Sequence, residues 1–347
     1  MSVNLNRRVL LIAPRYFGYE KEIEGELRRQ GALVDVLPDR PFDSAFLKAA
    51  TRFRPEITAR HADYFYVSEL ERLGRRHYDV VLIIQGECVT SHTLRLLRTT
   101  FTGARLVFYT WDSLENKPFV LANIGLYDDC LSFDPADAAL HGMRPRPLFF
   151  SVGFERDIPA TCTFDISFIG TIHSDRYRIV KCIADSLPAN IRTFWYLYLQ
   201  APWMYEIRKV FTHTIKNASK DEFQFLPMTK AAVQDVFLTS KSVLDIEHPK
   251  QRGLTMRTIE AVGSKTKLVT TNTAVRQYDF FNESNICVID RANPQMAGSF
   301  LESPYSPVSE AIYDGYRLSS WVADVTGTRA YPTTSFKPVR SVDNRPY

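Results

Sequence analysis

The sequence predicts an α/β protein made of two Rossmann-like, doubly wound domains. Strand and helix patterns alternate from the start of the chain, which favours parallel sheets joined by crossover helices. The length of 347 residues exceeds one typical domain and suits two domains of about 150 residues each. The second half of the chain also repeats the layout of the first.

Short apolar runs predict the strands of the first half, and amphipathic segments predict its helices. The predicted strands cover 8–13, 32–37, 78–85, 104–110, 129–133 and 147–151. The predicted helices cover 19–30, 91–100 and 134–141, and the segment 41–77 is helical but rich in arginine and aromatic residues. Together these elements form a predicted first domain over 1–152.

The second half contains a similar series, predicted as a second domain over 153–306. Its predicted strands cover 164–169, 191–199, 243–246, 267–271 and 285–290, and its helices 177–186, 203–215, 230–239 and 254–262. Glycine, proline and threonine cluster over 151–162 and favour a linker there. The remainder, 307–347, is predicted as one helix over 307–325 followed by a mobile tail.

Composition excludes several classes of protein. A net charge of +4 is too small to indicate nucleic-acid binding. Five cysteines without a CxxC pair favour buried thiols in a reducing compartment. No stretch approaches the roughly 20 apolar residues that a membrane span needs, and the start resembles a strand more than a signal peptide. We therefore expect a cytoplasmic protein with at most peripheral contact with the inner membrane face.

The segment 242–272 is the strongest candidate for a ligand site. It predicts a strand, a polar loop, a helix closed by Gly263 as its C-terminal cap, and a second strand. In such units the loop and the helix start lie at the carboxyl edge of the sheet, where ligands bind. The helix dipole there favours an anion, and Lys250, Arg252 and Arg257 add positive charge.

Arg257 and Glu260 are three residues apart and therefore share one face of this helix. A cation near the helix start and a carboxylate one turn later suit a ligand with a phosphate and a ribose. The alternative is an exposed helix with an ordinary ion pair, which is common at this spacing. The spacing alone leaves both interpretations open.

The stretch GLTMRTIEAVGSKTKLVTTN resembles the donor-binding segment of GT-B glycosyltransferases, nearest to the bacterial families that make capsule and lipopolysaccharide glycans. Glu260-Ala261, Gly263 and Lys267 stand in the matching places. The resemblance implies that Glu260 holds the ribose of the donor nucleotide. The best-known form of the motif has another acidic residue where this chain has Arg252, a departure that bears on the donor's sugar contacts. The other donor-segment candidates are Gly253, Thr255, Thr271 and Asn272.

The resemblance also implies a fold and a function. In the GT-B fold two domains face a cleft, the second domain binds the donor, and the last helix crosses back to the first domain. The implied activity is metal-independent transfer of a sugar from a nucleotide-sugar to a glycan or lipid-linked glycan. The implied setting is synthesis of an envelope polysaccharide such as capsule, O-antigen or exopolysaccharide. No cofactor is expected beyond the nucleotide-sugar co-substrate.

A second donor contact is expected in the loop after the strand at 164–169. The candidates are Gly170, His173, Ser174 and Arg176. Gly170 would let the backbone approach a ligand, and Ser174 or the next residue, Asp175, would cap the following helix. A basic residue in a first helical turn opposes the dipole preference unless an anion is bound. The alternative is an ordinary capped helix, whereas in GT-B enzymes the matching loop lies over the donor phosphates.

Three carboxylates of the first domain come just after strand ends: Glu20, Glu87 and Asp112. An inverting glycosyl transfer needs one base to deprotonate the acceptor hydroxyl. Asp112 is favoured because the strand before it is unambiguous and Trp111 is suited to stack on a sugar. The alternative for each carboxylate is a helix cap or first-turn residue, and the sequence does not separate the three.

Other interpretations remain open. Asp245-Ile246-Glu247 imitates the acidic metal motif of the other large glycosyltransferase fold, in which it would lie near residue 100. The seven histidines show no metal-ligand spacing, so we predict no metal site. A nucleotide-sugar epimerase of the same fold and a non-catalytic nucleotide-sugar-binding partner are the two functional alternatives.

Overall fold

The structure is a computed structural model that describes residues 6–41, 55–74, 76–157, 161–211, 215–249 and 251–329. The chain divides into two compact units. Unit 1 holds the described residues of Met1–Leu148 together with the segment that begins at Leu318, and unit 2 spans Phe149–Arg317.

Each unit contains one six-stranded parallel sheet. The strands of unit 1 are β1 Arg8–Ala13, β2 Leu33–Pro38, β3 Val80–Ile84, β4 Arg105–Thr110, β5 Asp129–Ser132 and β6 Arg144–Pro145. Those of unit 2 are β7 Ile166–Thr171, β8 Thr193–Tyr198, β9 Phe223–Gln224, β10 Ser242–Asp245, β11 Lys267–Thr270 and β12 Ile286–Val288.

The α-helices cover the sheets and are numbered along the chain. They are α1 Tyr19–Arg29, α2 Pro55–Leu73, α3 Ser91–Thr100, α4 Pro135–His141, α5 Arg176–Ser186, α6 Pro202–Phe211, α7 Lys230–Thr239, α8 Met256–Gly263, α9 Gly298–Glu302, α10 Glu310–Gly315 and α11 Leu318–Val325. Because helices cover both faces of a parallel sheet, its central strands are apolar throughout. Strand β3, for example, is VVLII and is buried along its whole length.

The strand orders identify where each sheet changes winding direction. Unit 1 has the order β2-β1-β3-β4-β5-β6, so its direction reverses between β1 and β3. Unit 2 has the order β12-β11-β10-β7-β8-β9, so its direction reverses between β7 and β10. Ligands of doubly wound sheets bind at this switch point, outside the carboxyl ends of the strands. The predicted fold of two Rossmann-like α/β domains is confirmed.

Two predicted elements differ from the structure, and one strand was missed. The last strand of the first sheet is β6 and not 147–151, because Phe150 instead forms a bridge with Arg317 in unit 2. The two-residue strand β9 was not predicted, since two residues carry no periodicity. The helix predicted over 307–325 is two helices, α10 and α11, that are separated at Tyr316 and Arg317.

Gly263 does not have the predicted role of helix cap. It is the last residue of α8, and Ser264 is the capping residue. A Cβ atom at Gly263 would lie 2.5 Å from the ring of Phe150. The glycine is therefore explained by the close approach of this aromatic ring to the helix.

The expected return of the last helix to the first domain is observed, since α11 belongs to unit 1 and packs against α1. Asp324 of α11 pairs with Arg144 at 2.7 Å and with Arg146 at 2.9 Å. Arg146 is completely buried. This ion pair ties the returning helix to the end of the first sheet. None of the helices within the described residues is long and apolar enough to span a membrane.

We predict that Asp324→Asn destabilises the protein by about 3–5 kcal/mol, because it leaves the buried guanidinium of Arg146 without its countercharge. Glu24→Gln is the matched control, since it removes an exposed pair with Arg28 on α1 and should cost less than about 1 kcal/mol. Chemical denaturation of the two variants measures the difference. Equal losses would show that the Asp324 pair does not stabilise the fold.

Candidate functional site

The switch point of unit 2 is bridged by Arg176, the first residue of α5. Its Nε donates to the carbonyl oxygen of Ile246 after β10 at 2.7 Å. Its Nη1 donates to the carbonyl oxygen of Thr171, at the end of β7, at 3.1 Å. This predicted donor residue therefore joins the two loops between which a ligand of the sheet would bind.

Charges of both signs surround Arg176. Burial lowers the pKa of Arg176 to about 10; the carboxylates of Asp245 and Glu247 oppose this shift, while Arg257 and Arg291 add to it. Arg176 and Arg257 therefore repel each other, and an anion bound near both would reduce that repulsion.

The start of α8 is fixed to β10 by Asp245. Thr255 is the N-cap residue of α8 and accepts the N–H of Thr258 at 3.2 Å. The hydroxyls of Thr255 and Thr258 both donate to Oδ2 of Asp245, at 2.6 and 2.7 Å. The predicted donor residue Thr255 thus orients the helix start, and Asp245 is occupied by hydroxyl donors.

Arg257 lies in the first turn of α8, and its guanidinium lies over the ring of Phe237 at 5.7 Å. Its Nη1 is buried and has no hydrogen-bond partner within the described part of the chain. A buried donor without a partner is costly, and the few that occur call for an explanation. A ligand oxygen at the helix start would satisfy this donor and would also benefit from the helix dipole.

The other charged candidates of this segment have different environments. Glu260 lies one turn beyond Arg257 on α8 and is 3% exposed. Arg252 is exposed in the loop before α8. Lys250 lies outside the described residues. The proposed ribose role of Glu260 stays a prediction.

Arg291, which follows β12, connects three neighbouring loops. Its guanidinium forms a two-pronged pair with Asp175 at the start of α5, at 2.9 and 2.7 Å. It also donates to Oε1 of Glu247, after β10, at 2.6 Å. Glu247 in turn accepts the hydroxyl of Thr271, which follows β11. One network therefore joins the loops at the carboxyl ends of β7, β10, β11 and β12.

The acidic motif Asp245-Ile246-Glu247 belongs to this scaffold. Burial raises the pKa of Glu247, and its hydrogen bond from Thr271 opposes the shift. The confirmed fold excludes the alternative glycosyltransferase fold in which the motif would bind a metal. No group of three or more metal-ligating side chains occurs among the residues that the structure describes.

The loop after β7 differs in detail from the prediction. Asp175 is the N-cap residue of α5, but its side chain makes no capping hydrogen bond, because Arg291 takes up the carboxylate. Ser174 is exposed, with a left-handed φ of 48°, and its hydroxyl lies 3.0 Å from Nδ1 of His173. Burial, followed by the charge of Arg176, lowers the pKa of His173 to about 4. His173 is therefore neutral at physiological pH.

Two of the predicted glycines and one asparagine have contacts within the protein itself. Gly170 lies within β7, where a Cβ would come within 2.8 Å of the ring of Phe168, so the glycine is explained without a ligand. The carbonyl oxygen of Gly253 accepts the side-chain N–H of Asn272 at 3.2 Å. Asn272 thus joins the loop after β10 to the loop after β11.

In unit 1 the three predicted carboxylates follow the adjacent strands β1, β3 and β4. Glu20 accepts the backbone N–H of Tyr16 at 3.3 Å, as a first-turn residue of α1 does. Asp112 accepts the N–H of Ser113 at 2.9 Å and the amide of Asn116 at 3.3 Å, both at Oδ1. Within the described residues, both hydrogen bonds of Asp112 therefore fall on one carboxylate oxygen.

Glu87 is the most constrained of the three carboxylates. It is buried and pairs with Arg40 at 2.6 Å and with Lys117 at 2.5 Å. The completely buried Asp39 accepts the N–H of Glu87 at 3.1 Å and that of Cys88 at 3.3 Å. The contacts of Glu87 therefore join three loops of unit 1, whereas those of Asp112 are local.

Aromatic side chains accompany Asp112 at this edge. The ring of Trp111 lies 6.4 Å from that of Tyr16 and 6.5 Å from that of Tyr19. Tyr16 and Phe17 are both largely exposed. Exposed aromatic rings beside a carboxylate provide flat apolar faces with a polar neighbour.

The fold places the chain among two-domain Rossmann-like α/β proteins. No family model matches it, and a search of curated proteins finds no match. Solved structures match it over nearly the whole length, each at 11% identity and 92% of this chain. They are the apo structure of OtsA (TM-score 0.61, 99% of that chain), Anabaena Alr3699/HepE in complex with UDP-glucose (0.58, 98%) and a glycosyltransferase from Rickettsia africae ESF-5 (0.54, 96%). Identity at this level establishes a shared fold.

Sequence analysis missed four residues of the two edges: Asp39, Arg40, Lys117 and Arg291. Asp39, Arg40 and Arg291 all come within a few residues of a strand end. The same position rule would have selected them if it had been applied to charged residues of either sign. Lys117 lies seven residues after β4, as far as Glu20 lies after β1, and was missed because only carboxylates were considered.

We predict that Arg291→Ala accelerates amide hydrogen exchange in the loops 171–176 and 246–249, because it breaks the network that joins them. Arg291→Lys should give an intermediate effect, since lysine keeps the charge but loses the two-pronged geometry. Arg276→Ala is the control, because Arg276 forms an exposed pair with Glu283 at 3.7 Å and lies over the ring of Phe281, and neither contact involves these two loops. Unchanged exchange in Arg291→Ala would contradict the bracing role.

A second prediction concerns the pH dependence of stability. Burial, and then the charge of Glu87, raise the pKa of Asp39 from 3.8 to about 7. Between these values the folded protein holds a proton that the unfolded chain has released, so stability falls as pH rises through this range. Asparagine has no titratable proton. Asp39→Asn should therefore lose less stability than wild type when the pH is raised from the lower of these two pKa values to the higher. If denaturation curves of wild type and Asp39→Asn show the same pH dependence, the raised pKa of Asp39 is contradicted.

Proposed function

We propose that the chain is a glycosyltransferase that moves a sugar from a nucleotide-sugar to a hydroxyl of a glycan or lipid-linked glycan. The observation that carries the proposal is Arg257, a partly buried arginine with an unsatisfied Nη1 at the start of α8. It lies in the segment that resembles a nucleotide-sugar donor site. The fold shared with glycosyltransferase structures supports the same activity.

In this proposal unit 2 binds the donor at its switch point. Arg257 and the start of α8 hold the diphosphate, with Arg176 close by, and Glu260 holds the ribose. As the bond to the sugar breaks, negative charge develops on the leaving nucleoside diphosphate. Fixed cations stabilise that charge without reorganising, which is usually the largest catalytic contribution. Since Alr3699/HepE was solved with UDP-glucose, UDP-sugars are the first donors to test.

Unit 1 would supply the acceptor site and the base. Asp112 would take the proton of the acceptor hydroxyl, and Trp111 and Tyr16 would contact the acceptor sugar through their ring faces. We propose that no metal is required, because the arginines would provide the charge stabilisation. The resemblance of the donor segment supports a setting in envelope polysaccharide synthesis at the inner face of the membrane.

Incubation with a panel of nucleotide-sugars, with and without glycan acceptors, tests the activity. Nucleotide released only in the presence of acceptor supports transfer. An altered sugar without acceptor would indicate an epimerase, and binding without turnover would indicate a binding module. The panel should be repeated after chelation, where full activity is expected. A strict requirement for Mg²⁺ or Mn²⁺ would contradict the metal-independent mechanism.

We predict that Arg257→Ala weakens nucleotide-sugar binding about ten- to hundredfold, because it removes a charge-assisted hydrogen bond of about 1.5–3 kcal/mol. Arg257→Lys should recover only part of the affinity, since it cannot form the forked contact. Titration calorimetry measures both variants against Arg276→Ala as the control. Wild-type affinity in Arg257→Ala would move the phosphate site to the loop 170–176.

We predict that Asp112→Asn lowers the turnover rate by about 10²–10⁴, the usual contribution of a general base, while donor affinity is unchanged. Glu20→Gln should have a small effect. Glu87→Gln should mainly lower the melting temperature, because Arg40 and Lys117 lose their buried partner. If Asp112→Asn retains most of its turnover and a folded Glu87→Gln does not, Glu87 is the base. Activity in all three variants would remove the requirement for a base from these residues.

A further inference from the structure

Helix α6 presents an apolar face to solvent. Trp203, Ile207, Val210 and Phe211 are 63%, 49%, 77% and 80% exposed. Spacings of four, three and one residues place these side chains on one side of the helix. We call these four residues the α6 surface.

The opposite side of α6 anchors it to unit 2. Tyr205 is buried, and its hydroxyl donates to the carbonyl oxygen of Ala218 at 2.9 Å. Arg208 donates to the carbonyl oxygen of Ile172. Tyr205 also packs in the apolar core of unit 2. The helix is thus held on its inner side by one buried aromatic residue and by polar contacts, while the four residues of the α6 surface face outward. An ordinary surface helix turns its apolar stripe to the core.

Positive charge accompanies the α6 surface. The stretch 202–221 contains four basic and two acidic residues. Lys209 lies on the inner side of α6, because its Nζ donates to the hydroxyl of Tyr205 at 3.2 Å. Lys216 and Lys220, which follow α6 in the chain, are exposed. Lys220 reaches back to Glu206 of α6, but this ion pair is long, at 3.5 Å. Exposed lysines beside an apolar helix face are complementary to anionic lipid headgroups.

The size and shape of the α6 surface favour a lipid surface over a protein partner. An aromatic side chain offers about 150–250 Å², so four partly exposed side chains offer roughly 400–500 Å² in total. A stable protein interface needs about 800 Å² from each partner. Tryptophan is also the residue most typical of the membrane–water interface.

We propose that the α6 surface docks the protein on an anionic lipid bilayer, with Trp203 and Phe211 inserted at the interface. The inference deepens the proposed function, because a lipid-linked acceptor would be met at such a surface. The docking itself requires neither donor nor acceptor.

Flotation with lipid vesicles tests the proposal. The full chain is mixed with vesicles of phosphatidylcholine alone or of phosphatidylcholine with phosphatidylglycerol. We expect binding to the anionic vesicles, weaker binding to the neutral ones, and partial release at high salt. The double variant Trp203→Ser/Phe211→Ser should bind at least tenfold less. The matched control is Tyr64→Ser/Leu140→Ser, which removes two exposed side chains of unit 1 and should bind like wild type.

Three results would overturn the proposal: no binding of wild type to either vesicle, equal binding by the double variant, or equal losses in the double variant and its control. A dimer that the double variant dissociates, with no vesicle binding by wild type, would assign the α6 surface to self-association. Turnover with a soluble acceptor separates the two proposals. Vesicle binding without turnover would count against the glycosyltransferase assignment alone, and turnover without vesicle binding against the docking surface alone.

Discussion

The pairing of Arg291 with Asp175 and Glu247 is the constraint on which the candidate donor site depends. A parallel sheet brings the carboxyl ends of its strands to one edge, but it does not fix the loops that follow them. Arg291 does so for four neighbouring strands, because Glu247 continues the network to Thr271. Charge-assisted, two-pronged contacts are strong and directional. The position of Arg176, next to Asp175, follows from these braced loops, while Asp245 fixes the start of α8.

Unit 1 uses the same device with different residues. Glu87 joins Arg40 after β2 to Lys117 after β4, and Asp39 holds the turn that contains Glu87. A carboxylate just beyond a strand end can therefore be a brace for neighbouring loops. Asp112 differs because its contacts are local and fall on one oxygen. That difference could not be obtained from the sequence, in which the three carboxylates have equivalent positions.

Much of the fold could be predicted from the distribution of apolar residues, because long buried strands such as β1 and β3 are nearly continuous apolar runs. The errors have local physical causes. Gly263 was assigned to a helix cap since glycine is common there, whereas the ring of Phe150 requires it. The strand predicted over 147–151 is apolar, but the chain enters unit 2 at Phe149, and Phe150 bridges to Arg317 there and does not pair in the first sheet.

The general place of the candidate site was predicted, because ligands of doubly wound sheets bind at the loops that follow the strands. The ion pairs that join these loops were not predicted, because Arg291 lies more than forty residues from Glu247 and more than a hundred from Asp175. Nothing in the sequence indicates which loops meet at such separations. The outward apolar face of α6 was also not predicted, because an amphipathic pattern does not show which side of a helix faces the core.

The central claim is that unit 2 binds a nucleoside diphosphate at its switch point, and a crystal structure with a bound UDP-sugar tests it most directly. The account predicts the diphosphate beside the start of α8, between the loops after β7 and β10, with an oxygen within hydrogen-bonding distance of Nη1 of Arg257. A nucleotide bound elsewhere on the chain, or one whose phosphates leave Arg257 without a contact, would contradict it.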